Sequence, residues 1–182
     1  MKIVTFCGKC STLPRVWEYI KHDLLLIDMT YYDKLPEKIP IKYEVFQTQI
    51  PYDPSKEMTN RRKRIAILMR RLNEIVPQNE NILFLDSDVY VKDPSKIPDY
   101  PIPYTLMIIA KIKPESYPSR YLLSTNIYVP HLFRQKLNQL LNEYLLNYTF
   151  EPVDIWLNQK LQTQKIHIGG TCHIIDNMEL CV

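Results

Sequence analysis

The sequence predicts a single α/β domain, a mostly parallel sheet with helices on its faces. Short apolar runs recur with helical segments between them. The longest helical segment, "TNRRKRIAILMRRLNEIV", leads straight into an apolar strand, "NILFLDSDVYV". A helix that feeds a strand is the repeating unit of a parallel sheet, because the crossover has to cover a sheet face before the next strand joins. The length of 182 residues suits one domain with a substantial core.

The elements follow in order. "KIVTF" (2–6) reads as a first strand, 14–21 as a short helix, "DLLLID" (23–28) as a second strand and the alternating "KYEVFQTQ" (42–49) as a third. Residues 51–59 read as a loop. The helix 60–76 is expected to take Thr59 or Asn60 as its cap and to bury Ile65, Leu68, Met69, Leu72, Ile75 and Val76. Pro77 and "QNEN" stop it before the strand that ends in Asp86-Ser87-Asp88. "YTLMIIAKI" (104–112) and "TNIYV" (125–129) read as further strands. Pro130 opens a helix to about residue 147, with Phe133, Leu137, Leu140, Leu141, Tyr144 and Leu145 inward. "PVDIWLNQKLQ" (152–162) is a shorter helix starting near Asp154, and "KIHIGG" (165–170) a final strand. Apolar strand residues interrupt the prolines between Pro94 and Pro118, so they read as turns and not as a linker. One domain, 1–182, is expected.

Composition narrows the function. Hydrophobic residues at 46% and charged residues at 24% are ordinary for a globular protein, and a net charge of +3 does not by itself argue for nucleic acid. No apolar run approaches the roughly 18 residues of a membrane span. "MKIVTFCGKC" lacks a long apolar segment followed by a small-residue cleavage site, so a cytoplasmic protein is expected. Cys7 and Cys10 form a C-x-x-C, and Cys172 and Cys181 lie far downstream. A redox motif is opposed by Pro14, which interrupts the following helix. A zinc site from Cys7, Cys10, Cys172 and His173 lacks a second tightly spaced ligand pair. Plain thiols or a structural disulfide are the reading preferred.

Two carboxylates after so apolar a strand need compensation from a divalent metal, a phosphoryl group or water. Ligands of open α/β sheets bind at the carboxyl ends of strands. Thr5 and Cys7, Asp28, and Asp86 with Asp88 are all expected at such ends.

"LFLDSDVYV" resembles the Asp-x-Asp metal-binding signature of the GT-A glycosyltransferases, Rossmann-like enzymes that use nucleotide-activated sugars. "RRLNEIVPQNENILFLDSDVYVKDP" is similar to the glycogenin-related members, and the short chain to the minimal GT-A enzymes of archaeal viruses. Ser124, Thr125 and Asn126 in "LLSTNIYVP" stand where that group has Asn-Ser-Gly. "VDIWLN" resembles its Asp-Gln-Asp helix motif at the second Asp, here Asp154, and "HIGG" its late His-x-x-Gly element, here His167. The chain departs from the pattern at Pro152, at Val153 and in lacking a Lys-Pro-Trp after His167.

The resemblance implies a hexosyltransferase that takes a UDP- or GDP-sugar donor and a glycan or protein acceptor, with no nucleic-acid partner, in the host cytoplasm if the protein is viral. Residues 1–91 would bind the nucleotide and 92–182 the acceptor. Asp88 and His167 would hold Mn²⁺ or Mg²⁺, the imidazole favouring Mn²⁺, and Asp86 the metal or the ribose. Thr5 and Asp28 would face the nucleotide, although Asp28 also suits a strand-end turn with Thr30. Arg61, four residues before Ile65, would extend the buried stripe towards a diphosphate. With Val153 in place of the Gln, Asp154 would be the general base of an inverting transfer, its plainer role being a helix cap. Two alternatives stand beside this reading. One is a haloacid-dehalogenase-type phosphatase with Asp86 as nucleophile, a family that carries its motif on the first strand. The other is an RNA-binding module using the basic helix 60–76.

Overall fold

Two apolar strands, β1 (Lys2–Cys7) and β4 (Ile82–Leu85), lie side by side and parallel at the centre of the molecule, in the register Lys2↔Ile82 to Thr5↔Leu85. The computed structural model describes residues 1–7, 22–31, 35, 39–50, 53–85, 89–91, 107–111, 122–147, 151–161, 164–166, 171–175 and 178–181. The helix expected over 14–21 and residues Cys10, Asp86, Ser87, Asp88 and His167 lie outside them.

Around that pair the chain builds a seven-stranded sheet of order β3-β2-β1-β4-β7-β6-β8. Its other strands are β2 (Leu24–Asp28), β3 (Tyr43–Phe46), β6 (Met107–Lys111), β7 (Leu122–Val129) and β8 (Gln164–Ile166). All neighbours are parallel except β7, which runs against both β4 and β6. The fold class read from the sequence therefore holds, in a mixed, mostly parallel form. A second, antiparallel sheet joins β5 (Val89–Val91), β9 (Thr171–Ile175) and β10 (Met178–Cys181) in the order β10-β9-β5. The sequence reading assigned no strand to β9 or β10. Their signal was Asp176-Asn177, a turn dipeptide between two β-rich runs.

Burial follows position in the sheet. β2 and β4 are buried at every residue, which explains why they read as unbroken apolar runs and not as alternations. β3, at the sheet's margin, alternates instead, with Tyr43 and Val45 exposed.

Helix α1 (Glu57–Ile75) begins three residues before the predicted start. Pro54–Lys56 form a 3-10 turn ahead of it, and Asp53 Oδ1 accepts from the backbone N–H (3.0 Å) and hydroxyl (2.6 Å) of Ser55. Thr59 and Asn60 are thus inside the helix, and the missed start signal was Asp53-Pro54, an acceptor followed by a preset φ. Ala66, Leu68, Met69 and Leu72 pack in one core cluster with Val4 and Phe6 of β1 and Leu24 and Leu26 of β2. After a 3-10 turn at His131–Phe133 comes α2 (Arg134–Leu146), which buries Leu137, Leu140, Leu141 and Tyr144. Then α3 (Val153–Leu161) adds Val153, Trp156 and Leu157 to the same cluster, with Trp156 edge-on to Tyr144 at 5.4 Å between ring centres. No helix among the described residues is long and apolar enough to cross a membrane.

The end of α1 is closed by a buried guanidinium from α2. Arg134 is fully buried and all five of its N–H donors are used. Nε reaches Asn73 Oδ1 at 2.9 Å. Nη2 donates to the carbonyls of Asn73 and Val76 (2.7 Å to the latter), and Nη1 to those of Pro77 and Glu80 (3.3 Å to the latter). A helix leaves its last carbonyls without intrahelical partners and carries partial negative charge there, so a cation with five donors satisfies both demands. Asn73 returns the contact, donating to Arg134 O at 2.9 Å and Asn138 Oδ1 at 2.7 Å.

Replacing the fork while keeping its stem, Arg134→Met, is expected to cost about 3 kcal/mol of unfolding free energy by orphaning buried carbonyls. Arg134→Lys should recover only part of it, because one ammonium cannot reach both sides of the turn. Equilibrium urea denaturation reads both; a Met variant as stable as the parent would refute the clamp.

Candidate functional site

The strand order locates a crevice. The chain moves outwards from β1 to β2 and β3, then crosses back through α1 to place β4 on the other side of β1. The order therefore reverses between β1 and β4, and their carboxyl ends border the switch point where open α/β sheets bind ligands. Thr5 and Leu85 are register partners there, and the buried Thr5 hydroxyl donates to the Leu85 carbonyl at 2.9 Å. That bond fixes the peptide leading into Asp86.

Asp28 closes the neighbouring strand end. It is fully buried. Its Oδ1 accepts from Thr30 N (3.0 Å), Thr30 Oγ1 (2.6 Å) and Thr48 N (3.1 Å), and its Oδ2 from Thr48 Oγ1 (2.6 Å). Arg64 of α1 stands 3.5 Å from Oδ2 and is itself buried. Asp28 thus ties the carboxyl end of β2 to the segment after β3 and to the first half of α1. The strand-end turn with Thr30 is present and is enlarged by Thr48.

Among the basic residues the structure corrects one placement. Arg61 is exposed, and the buried cation is Arg64. The most buried stripe runs Asn60, Arg64, Leu68, Leu72 at four-residue spacing, and Arg61 lies off it, facing solvent. Farther along, Arg70 donates to Asn142 Oδ1 of α2 at 2.8 Å, and Arg71 lies over the Phe46 ring at 5.7 Å. These cations hold elements together.

Asp154 sits in the first turn of α3 and is buried. α1 starts at the carboxyl edge of the sheet, where Arg64 meets Asp28, and α2 runs back along it, as the pairs Asn73–Asn138 and Arg70–Asn142 show. The start of α3 therefore returns to the edge that holds Thr5, Asp28 and Leu85. Burial pushes the Asp154 carboxyl up to about 6, while the N–H groups of Ile155 and of its own residue and the charge of Arg62 pull the other way. It is not the cap itself, since the helix begins one residue earlier.

Thr5, Asp28, Asp154 and the N-terminal half of α1, which carries Arg61, are therefore gathered at one edge. Among the described residues no group of three or more His, Cys, Asp or Glu could hold a metal ion; Asp86, Asp88 and His167 lie outside them. The backbone on either side of those three is informative. β8 runs parallel to β4 by way of β6 and β7, so Ile166 ends at the same edge as Leu85. β5, which follows Asp88 at once, pairs with β9 from Val89↔His173 to Val91↔Thr171. Sequence reasoning missed Arg64 and the second sheet. It also missed His22, buried just before β2 with burial lowering its pKa to about 4.

The arrangement matches known folds. No family model matches the chain. The structure superposes on a glycosyltransferase involved in the glycosylation of the major capsid of PBCV-1, with a TM-score of 0.50 and 14% identity over 92% of this chain and 82% of that one. It superposes also on the glycosyltransferase GlyE of Streptococcus pneumoniae TIGR4, with a TM-score of 0.53 and 11% identity over 91% of this chain and 45% of that one. The fold is that of the GT-A glycosyltransferases. In sequence the chain is 27% identical to ORF208 of Acidianus filamentous virus 2 (isolate Italy/Pozzuoli) over 96% of its own length and 81% of that protein. It is 34% identical to ORF238 of the same virus over 69% of this chain, and spans about half of that longer relative, 55%.

Two buried groups give the stability a testable pH dependence. Asp154, raised from 3.8 to about 6, contributes stability that is full below 3.8 and lost as pH rises through about 6. His22, lowered from 6.5 to about 4, does the reverse: its stability is present above 6.5 and lost as pH falls through about 4. Each effect is on the order of 3 kcal/mol at full strength, so they nearly cancel between pH 4 and 6. Asp154→Asn should leave stability rising with pH across that window, and His22→Gln should leave it falling. Urea midpoints measured at several pH values check the two slopes.

Proposed function

We propose that this protein is a metal-dependent glycosyltransferase that moves a hexosyl group from a UDP- or GDP-sugar to a hydroxyl of a glycan or protein acceptor. The observation that carries the reading is the Thr5↔Leu85 register at the switch point, from which Asp86-Ser87-Asp88 continues. The GT-A fold supports it. Residues 1–91 serve the nucleotide and 92–182 the acceptor, in the cytoplasm.

Asp86, Asp88 and His167 form a donor set of hard carboxylate oxygens and one imidazole, which suits Mn²⁺ or Mg²⁺. Bound there, the ion supplies neutralisation of the charge on the departing diphosphate. The chain's own groups do the rest. Thr5 holds the peptide before Asp86 in place. Asp28, whose oxygens are taken by Thr30 and Thr48, shapes the nucleotide side of the crevice and presents those threonines. Arg61, exposed at the helix end that faces this edge, is free to swing to a diphosphate. Asp154 accepts the proton of the attacking acceptor hydroxyl, and a pKa of about 6 leaves it ionised at neutral pH yet more basic than an ordinary carboxylate. Attack assisted from that side inverts the anomeric centre.

Neither alternative has an observation in its favour. The Asp-x-Asp motif follows the fourth strand among the described residues, whereas the phosphatase family needs it on the first. The basic helix spends Arg64, Arg70 and Arg71 on internal contacts, which leaves little of a nucleic-acid face.

Thermal-shift titration tests the donor site. UDP or GDP is expected to raise Tm with Mn²⁺ or Mg²⁺ present and not in EDTA, and Asp86→Asn or Asp88→Asn should abolish the shift. Equal shifts with and without EDTA would overturn the metal role. Asp154→Asn is expected to keep the nucleotide–metal shift and lose about 100-fold in transfer. In the parent, kcat/KM should climb as pH rises through about 6, the carboxylate being the active form. Near-parental turnover in the variant would remove the base.

A further inference from the structure

We propose that Cys172 and Cys181 are a cross-strand disulfide site that locks the β9–β10 hairpin. The two residues are direct register partners in an antiparallel pair, and the ladder runs without a break from Ile175↔Met178 to Cys172↔Cys181.

The type of pair decides whether a bridge fits. Two residues separate Ile175 from Met178, and a connection that short closes on a hydrogen-bonded pair. Antiparallel pairs alternate, so 174↔179 is non-hydrogen-bonded, 173↔180 hydrogen-bonded and 172↔181 non-hydrogen-bonded again. Directly opposed residues of that second kind stand about 4.5 Å apart between Cα atoms, at the short end of the range of about 4.4–6.8 Å that disulfides span. The backbone therefore needs no rearrangement to accept the bond.

The chemistry is thiol–disulfide exchange with a small disulfide oxidant such as oxidised glutathione. One cysteine thiolate attacks a glutathione sulfur and releases the first reduced glutathione. The other thiolate then attacks the mixed disulfide and releases the second, so two thiols are oxidised, one oxidant disulfide is reduced and both thiol protons end on glutathione. β9 is also the strand that pairs with β5. The bond therefore fastens the outer strand β10 to β9, the partner of the strand that follows the Asp-x-Asp segment. It rests on no part of the glycosyltransferase reading.

The sequence offers a clean assay, because Met178 lies between the two cysteines and Met107 well before them. The reduced full-length protein is incubated with oxidised glutathione, alkylated with iodoacetamide and cleaved at methionine with cyanogen bromide. The expected product is fragment 179–182 joined to fragment 108–178, two hydrogens lighter than their sum and separated by dithiothreitol. Oxidation should also raise Tm, and Cys181→Ser should remove that gain. Alkylated or glutathionylated Cys172 and Cys181 in the oxidised sample, or a link from either to Cys7 or Cys10, would overturn the proposal.

Discussion

The guanidinium of Arg134 is the fixed point of this molecule. A 19-residue helix leaves its terminal carbonyls without intrahelical partners. One residue from the next helix takes the carbonyls of Asn73 and Val76 at the helix end, those of Pro77 and Glu80 in the turn that follows, and an amide oxygen. Its position fixes where α1 stops, how the chain turns through Pro77 to Glu80, and where β4 enters the sheet. Since β4 sits against β1, the same contact sets the height at which Leu85 meets Thr5. The first half of α1 is held by a buried ion pair, Arg64 with Asp28. The central helix is thus pinned by two buried guanidinium groups, one on its own inward stripe and one from α2.

Much of this architecture was legible, for reasons that can be named. β1, β2 and β4 are apolar at nearly every position because both of their faces are covered, and such runs can hardly be read otherwise. The apolar spacing in α1, α2 and α3 is regular because each packs a single stripe on one cluster. The carboxyl-edge placement of Thr5 and Asp28 followed from those assignments alone. What escaped depends on distance along the chain. Arg134 looks like any cation opening an amphipathic helix; its acceptors lie 54 to 61 residues upstream. Arg61 lies four residues before Ile65 and Arg64 four before Leu68, so spacing alone gives both an inward place, and the pairing with Asp28 selects Arg64. Strands β9 and β10 are short; β9 is held by pairing with β5, 80 to 84 positions upstream, and β10 by pairing with β9.

The site combines two kinds of polar burial. Asp28 is saturated, each oxygen answered by hydroxyl or amide donors, and such a carboxylate acts as a rigid joint. Asp154 is buried with fewer donors, and its charge is correspondingly costly. Burial alone therefore does not mark a reactive carboxylate; the balance of donors around it does. A reading from residue type would have given the two aspartates similar weight, and it is their surroundings that separate a saturated carboxylate from one whose pKa burial raises.

The sheet's dimensions bear on how the protein behaves among its own copies. The outermost described strands of the large sheet are β3, with four residues, and β8, with three, whereas the interior β7 has eight. A neighbour docking on β3 would gain a ladder only about 13 Å long at about 3.3 Å per residue. Lys42 flanks the strand and Glu44 interrupts its apolar residues, as charged gatekeepers do on natural sheet margins. Tapering margins of this kind let a slowly assembled parallel core form in a crowded cell without templating its own aggregation.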